Sequence, residues 1–466
     1  MHILSLVTWI TAATAIAEDS ERGTPTGGWT LSVEDSRTRA SAARTESRKK
    51  RKALLAGSVG NTVEWIDWAL YSALAPVFAT QFFPPAAPAA GLLATLAVFA
   101  VGFVMRPVGG AVIGAFTDRY GRKKGLTLTI TMMAGCAFVI ALCPTYEQIG
   151  VVAPIVLLLA RLVQGFSAGG EFGSSSALLV ESATGMRRAF AGSWQQVSAG
   201  LGVLIAAVLA LVLTSALEPE AMSSWGWRAA FIAGGLLGMV GLWLRVGLDE
   251  TDSFRAAHEE GRIPRNPLTE VFRKHPRAAL RVIGMAAAGV LIYYIWINYM
   301  PGYVSAVIGT MTLQTALVAN TIALAYFLCL LPFVGIIADR VGRKPVMLTF
   351  AAGFLVFAYP AFRLLETGGF WTLFAVEIVG VTLLACYAGL IATVMAEQFP
   401  AEVRTTGIGF PFAIAVAVFG GTAPYVTTWL ATNGLQDWVW LYVAAAALVG
   451  VVVYARMPET RDRVLT

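Results

Sequence analysis

Asn61, Glu64, Asp67 and Tyr71 follow one another at three- and four-residue spacing inside an otherwise apolar stretch, so on a helix they line one face. Arg161, Gln164, Ser167, Glu171 and Ser174 form a second stripe of the same kind, and Arg106 stands directly before Pro107 in a third apolar run. Trp194, Gln195, Gln196 and Ser198 cluster in another, and Tyr293, Tyr294, Trp296, Asn298 and Tyr299 in another still. Tyr326, Glu377 and Tyr387 are scattered beyond them. Such groups suit binding and proton exchange. A guanidinium offers a planar donor fork that matches a carboxylate. A carboxylate moving between an apolar surround and an arginine partner changes its affinity for a proton. Aromatic faces attract cations, a quaternary ammonium among them. His2, His258 and His275 lie outside these runs, and Cys136, Cys143, Cys329 and Cys386 form no CxxC spacing, so neither a metal site nor an enzyme is expected.

The elements that carry these groups must cross a membrane. Of 466 residues 57% are hydrophobic and only 13% charged, about half the charge of a soluble domain. Twelve segments meet the requirement of about twenty mostly apolar residues: 54–82, 91–116, 125–143, 151–180, 189–214, 225–247, 279–303, 313–338, 345–365, 370–396, 406–430 and 436–455. Open sheet edges are not tolerated in lipid, so an all-α membrane protein follows. The net charge of +6 sits in short loops, which argues for topology rather than for nucleic acid as a partner. Basic residues occupy alternate loops, at 48–52, 118–124, 187–188, 273–281, 339–344, 404 and 461–463, while the intervening turns are nearly free of them. Both termini are therefore expected in the cytoplasm.

The expected division is a disordered cytoplasmic tail over 1–52, a six-helix bundle over 53–247, a cytoplasmic linker over 248–278, a second bundle over 279–457 and a tail over 458–466. Residues 1–17 read as an apolar targeting segment without a basic start, or as the product of an upstream start codon. The first part of the linker is expected to form a short surface helix.

The halves echo one another. Asp118-Arg119-Tyr120-Gly121-Arg122-Lys123 joins helices two and three, and Asp339-Arg340-Val341-Gly342-Arg343-Lys344 joins helices eight and nine, 221 residues later. Glu181 and Arg188 recur as Glu397 and Arg404, at an offset of 216. Two echoes at nearly one offset predict two parallel six-helix bundles around a central cavity. In each loop the glycine permits a tight turn and the arginines can pair with carboxylates at neighbouring helix ends. Asp118, Arg119, Gly121, Arg122, Asp339, Arg340 and Arg343 are thus candidates for a latch that closes one face; simple anchoring of a turn is the alternative.

No phosphate-binding loop appears, nor placement of histidine and cysteine for haem or iron–sulfur ligation, so no cofactor is expected. An ion gradient or simple facilitated diffusion remains. Arg106 and Arg161 are the positive charges best placed for a ligand; Tyr71, Gln195, Tyr294, Asn298 and Tyr299 complete the expected substrate site. Glu64, Asp67 and Glu171, with Arg161, are the expected proton-coupling groups. Ion pairing within the first bundle, such as Arg161 with Glu64 or Asp67, is the structural alternative.

These residues resemble the major facilitator superfamily and, within it, the metabolite:proton symporter family. The likeness rests on Gly60-Asn61 with Glu64-Trp65-Ile66-Asp67, on Gly102 to Gly110 around Arg106-Pro107, on Asp118 to Lys124, on Ala160 to Gly165, on Gly169-Gly170-Glu171, on Trp225 to Arg228 and on Glu397 to Arg404. It implies twelve helices in two bundles in a bacterial inner membrane, and alternating access with small organic solutes and protons as partners. It implies that Arg106 takes a substrate carboxylate and that Arg161 with Gln164-Gly165 takes part in proton coupling. The stretch from Ile140 to Pro154 is most similar to members that carry 2-oxoglutarate, whereas Tyr299-Met300-Pro301 and Thr422 to Tyr425 are equally similar to betaine and citrate members. The expectation is proton-coupled symport of 2-oxoglutarate or a related di- or tricarboxylate by a functional monomer. A zwitterion such as betaine or proline is the alternative; a sensor or scaffold would need an output domain.

Overall fold

A computed structural model of the chain describes residues 33–83, 88–183, 187–463 and 465. They divide after Arg48 into two units, and the second carries the site described below. No strand occurs among the described residues. Twelve long helices follow one another: α1 (Val33–Phe82), α2 (Pro88–Tyr120), α3 (Arg122–Leu142), α4 (Val152–Glu181), α5 (Arg188–Ala216), α6 (Trp227–Val246), α7 (Pro276–Tyr293), α8 (Leu313–Val341), α9 (Arg343–Glu366), α10 (Phe370–Ala388), α11 (Arg404–Ala415) and α12 (Val439–Arg456). Ten helical stretches are long and apolar enough to cross a bilayer by length and composition; α1 and α2 supply the other two positions.

One expectation changes. The stretch 33–52, expected to be disordered, is the helical start of α1. Its Ala, Arg, Lys and Glu content gives it high helix propensity despite its polarity. Residues 1–32 lie outside the described set. The first part of the linker forms the expected short helix, Asp252–Glu259, and a second, Pro267–Lys274, follows it, opened by Pro267 behind the Asn266 cap.

The fold is the twelve-helix arrangement of two six-helix bundles. Within the first, α2 packs on α4 and α3 on α6; within the second, α9 packs on α12 and α8 on α10. The bundles meet along α2 with α11 and along α5 with α8. Three helices widen near the middle of the molecule. α7 continues through π-type turns at Tyr294–Tyr299 and Tyr303–Ile308, α10 breaks at Gly389-Leu390 before Ile391–Ala396, and α11 continues through a π-type turn at Val416–Gly420. Such turns shift the register of every side chain that follows and are frequent at functional sites.

Candidate functional site

A cavity lies between the bundles. The first bundle lines it with Asn61, Glu64 and Trp65 from α1, Arg106 from α2, Phe172 from α4, and Gln195 and Gln196 from α5. The second contributes Tyr293 and Tyr294 from α7, Tyr387 from α10 and Phe412 from α11. Every ionisable acid or base in this lining belongs to the first bundle, and the second supplies phenols and apolar surface.

Arg106 is 9% exposed and held between rings, its guanidinium carbon 4.4 Å from the centre of Phe103 and 4.6 Å from that of Trp68. Its Nε and Nη2 have no hydrogen-bond partner among the described residues, and neither has Oε2 of Glu64. A buried cation and a buried acid thus share one cavity with hydrogen-bonding capacity to spare, an arrangement that invites a polar guest. Asn61 and Gln195 are positioned by one another: Asn61 Nδ2 donates to the Gln195 carbonyl at 2.8 Å, and Gln195 Nε2 donates to Asn61 Oδ1 at 3.1 Å. This pair ties α1 to α5 at the cavity wall.

The remaining predicted residues lie elsewhere. Asp67 receives Arg161 Nη1 at 3.0 Å, away from the cavity lining, as the ion-pairing alternative foresaw. Tyr71 lies in the apolar core of the first bundle, its hydroxyl donating to the Thr95 carbonyl at 2.9 Å and its face 3.7 Å from the Arg161 guanidinium. Glu171 is held by Arg245 through both oxygens and by the Thr129 hydroxyl. Asn298 is exposed and Tyr299 packs on Tyr303 at 6.1 Å. The wide turn over Tyr294–Tyr299 explains the last two, because it turns the helix face so that Tyr293 and Tyr294 line the cavity and the residues after them do not.

Arg245 stands in the last turn of α6, and its guanidinium reaches inward and is fully buried, donating also to the Leu126 carbonyl at 2.6 Å. Gly60 makes this room, since a β-carbon there would collide with the guanidinium.

The two repeated loops join the two bundles. Asp118, at the end of α2, accepts the backbone N–H groups of Thr405 and Thr406 at 3.0 and 2.7 Å, at the start of α11. Asp339, at the end of α8, accepts those of Ala189 and Phe190 at 3.0 Å each, at the start of α5. Each bundle therefore caps a helix of the other, with the carboxylate at the positive end of the helix dipole. Arg122 binds Asp118 at 3.2 Å and Glu181 at 2.9 Å; Arg343 binds Asp339 at 3.1 Å and Glu397 at 3.0 Å. Arg404 crosses to Glu181 at 2.6 Å and Arg188 to Glu397 at 3.4 Å. Arg119 and Arg340 are exposed and stand outside these networks, because they occupy the helix face turned away from the seam.

A third echo escaped the sequence reading. Glu250 accepts the N–H groups of Arg122 and Lys123, and Glu459 those of Arg343 and Lys344. Thr251 donates to Glu181 at 2.6 Å and Thr460 donates to Glu397. The Glu-Thr pair recurs at an offset of 209, and that recurrence was its only trace in the sequence. Gly121 and Gly342, both at φ +104, turn the chain into these caps in a region that favours glycine.

The sequence matches the Major Facilitator Superfamily over residues 57–327 and 308–465. It is 38% identical over 411 residues to the alpha-ketoglutarate permease of Escherichia coli K12, covering 88% of this chain and 94% of that protein. It is 33% identical to the proline/betaine transporter of Salmonella typhimurium, covering 90% and 85%, and 35% identical to the citrate-proton symporter of Klebsiella pneumoniae, covering 81% and 84%. Among solved structures, the proton:xylose symporter XylE bound to 6-bromo-6-deoxy-D-glucose superposes with a TM-score of 0.74 at 16% identity, covering 90% of this chain and 98% of that one.

Proposed function

Because the chain belongs to the Major Facilitator Superfamily and is a multi-pass membrane transport protein, we propose that it couples proton entry to the uptake of a small organic carboxylate, 2-oxoglutarate or a related di- or tricarboxylate, by alternating access. The observation that carries this reading is Arg106, buried in the central cavity with Nε and Nη2 unpaired. Those two atoms are the edge that a carboxylate accepts in two parallel hydrogen bonds. Relatives named for alpha-ketoglutarate and for citrate support the same class.

The proton in this reading rides on Glu64. Asp67 and Glu171 hold arginines of their own, whereas Glu64 lines the cavity together with Arg106. A carboxylate solute that takes Arg106 removes a nearby positive charge from Glu64 and so favours its protonation. Solute and proton then load together. Gln195 and Tyr294 complete the wall around the solute. The two capped loops form the latch on the cytoplasmic face of a bacterial inner membrane, with both termini on that side, and a single chain suffices.

A second reading follows from the same cavity. Glu64 and Arg106 together offer both signs of charge, and Trp65, Tyr293 and Tyr294 offer ring faces, which suits a zwitterion such as proline or betaine. Uptake of labelled 2-oxoglutarate, citrate, proline and betaine into proteoliposomes, with and without an inward proton gradient, tests both. Gradient-dependent accumulation of the dicarboxylate is the expected result. Accumulation of betaine alone would install the second reading, and no gradient-dependent accumulation of any of them would defeat both.

A further inference from the structure

Arg161 also has an open edge. It is fully buried, and only its Nη1 is engaged, with Asp67; Nε and Nη2 have no hydrogen-bond partner among the described residues. These are the same two atoms that Arg106 leaves unpaired. A buried guanidinium with two idle donors is costly unless something completes it.

Both arginines lie against one side chain. Trp68 is 2% exposed; Arg106 lies 4.6 Å from its ring centre and Arg161 lies 5.6 Å, which keeps the two guanidinium carbons within roughly 10 Å of one another. Fork-to-fork pairing at about 2.8 Å between nitrogen and oxygen puts both within reach of the two ends of one short-chain diacid. The indole rests on Phe103 at 5.0 Å between ring centres and on Gly102, where a β-carbon would stand 2.7 Å from the ring edge. Glycine at 102 lets the indole pack directly on the backbone of α2. Arg161 does not line the cavity.

We propose that Arg161 is a second anion subsite behind Trp68, and that a solute with two carboxylates engages both arginines at once when the indole swings aside. The inference rests on the reading of Arg106 as the primary carboxylate anchor. Gln164, one turn along α4 and beside Asp67, frames the subsite with an amide. Asp67 then competes with the solute for Arg161. A monocarboxylate uses Arg106 alone and leaves the subsite shut. Trp68 and Arg161 are on this account the residues that select for charge and length.

The test compares 2-oxoglutarate with 2-oxopentanoate, the acid of equal length that lacks one carboxylate, by binding to the purified full chain. The wild type should bind the diacid about tenfold more tightly or better. Arg161→Gln alone strands Asp67 in the interior, so it is paired with Asp67→Asn, which keeps the site neutral. The double variant should lose the preference by weakening the diacid while the monoacid is unchanged. Asp67→Asn alone removes the competitor and should tighten the diacid only. Equal affinities in the wild type, or an equal loss for both acids in the double variant, would overturn the subsite while leaving Arg106 as an anchor. Binding of neither acid would overturn the Arg106 reading and this one with it.

Discussion

Glu171 on α4 and Arg245 on α6 form an ion pair with both side chains buried, and both carboxylate oxygens accept from the one guanidinium. Two groups of opposite sign, each costly to bury alone, satisfy one another at the level of the cavity wall. The pair therefore holds the first bundle together. Glu171 is spent on architecture, and Glu64 is left to face the cavity.

Removal of one partner should unmask that cost. Arg245→Ala is expected to lower stability by about 3–5 kcal/mol, read as a fall in the thermal unfolding temperature of the purified protein. The double change Arg245→Leu with Glu171→Gln should recover most of the loss. A double variant as unstable as the single one would show that the charges do not pair.

Arg106 presents geometry as well as charge. Lysine at that position keeps the charge and loses the fork, so Arg106→Lys should weaken carboxylate binding by about 2 kcal/mol or more. Ligand-induced thermal stabilisation measures it, since a solute that binds only the folded state must raise apparent stability. Undiminished stabilisation in the lysine variant would remove the fork from the account.

Glu64→Gln separates the proton from the solute. The amide keeps the shape and cannot take up a proton. Exchange of labelled for unlabelled solute across proteoliposome membranes should persist, while accumulation driven by a proton gradient should vanish. Retained gradient-driven accumulation would send the coupling role back to Asp67 or Glu171.

Glu459 gives the latch a dependence on pH. Burial works to raise its carboxyl, but the backbone N–H groups of Arg343, Lys344, Arg461 and Thr460 outweigh it and hold the group below its usual value of 4.5. A group depressed in the folded state contributes stability above its unfolded value, and the contribution is lost as the pH falls through the folded value. Glu459→Gln should therefore unfold at a lower temperature than the wild type near neutral pH. The two curves should converge as the pH drops below 4.5. A constant difference across the whole range would contradict this.

The sequence made the frame legible because lipid imposes it: twelve apolar runs and alternate basic loops follow from the cost of polar groups in hydrocarbon. The paired loops were readable too, since Asp118, Gly121 and Arg122 recur at 339, 342 and 343. The cavity was readable only in part. Helical spacing put Glu64 and Asp67 on one face of α1, but a polar face inside a bundle meets a neighbouring helix as readily as a solvent-filled space, and Asp67 found Arg161. The pairing of Arg245 with Glu171 left no sign, because the place of a residue along a helix does not say where a long side chain ends. Asn298 and Tyr299 were misjudged because counting by 3.6 fails across the wide turn of α7.

The reciprocal capping by Asp118 and Asp339 has a mechanical corollary. Four peptide nitrogens, at Ala189, Phe190, Thr405 and Thr406, are bolted across the interface in two places. Loss of either aspartate turns the surviving bolt into a pivot, so a single lesion lets the protein gape lopsidedly on one flank. Full separation demands that both let go together, which makes that side of the molecule behave as a lock with two keys.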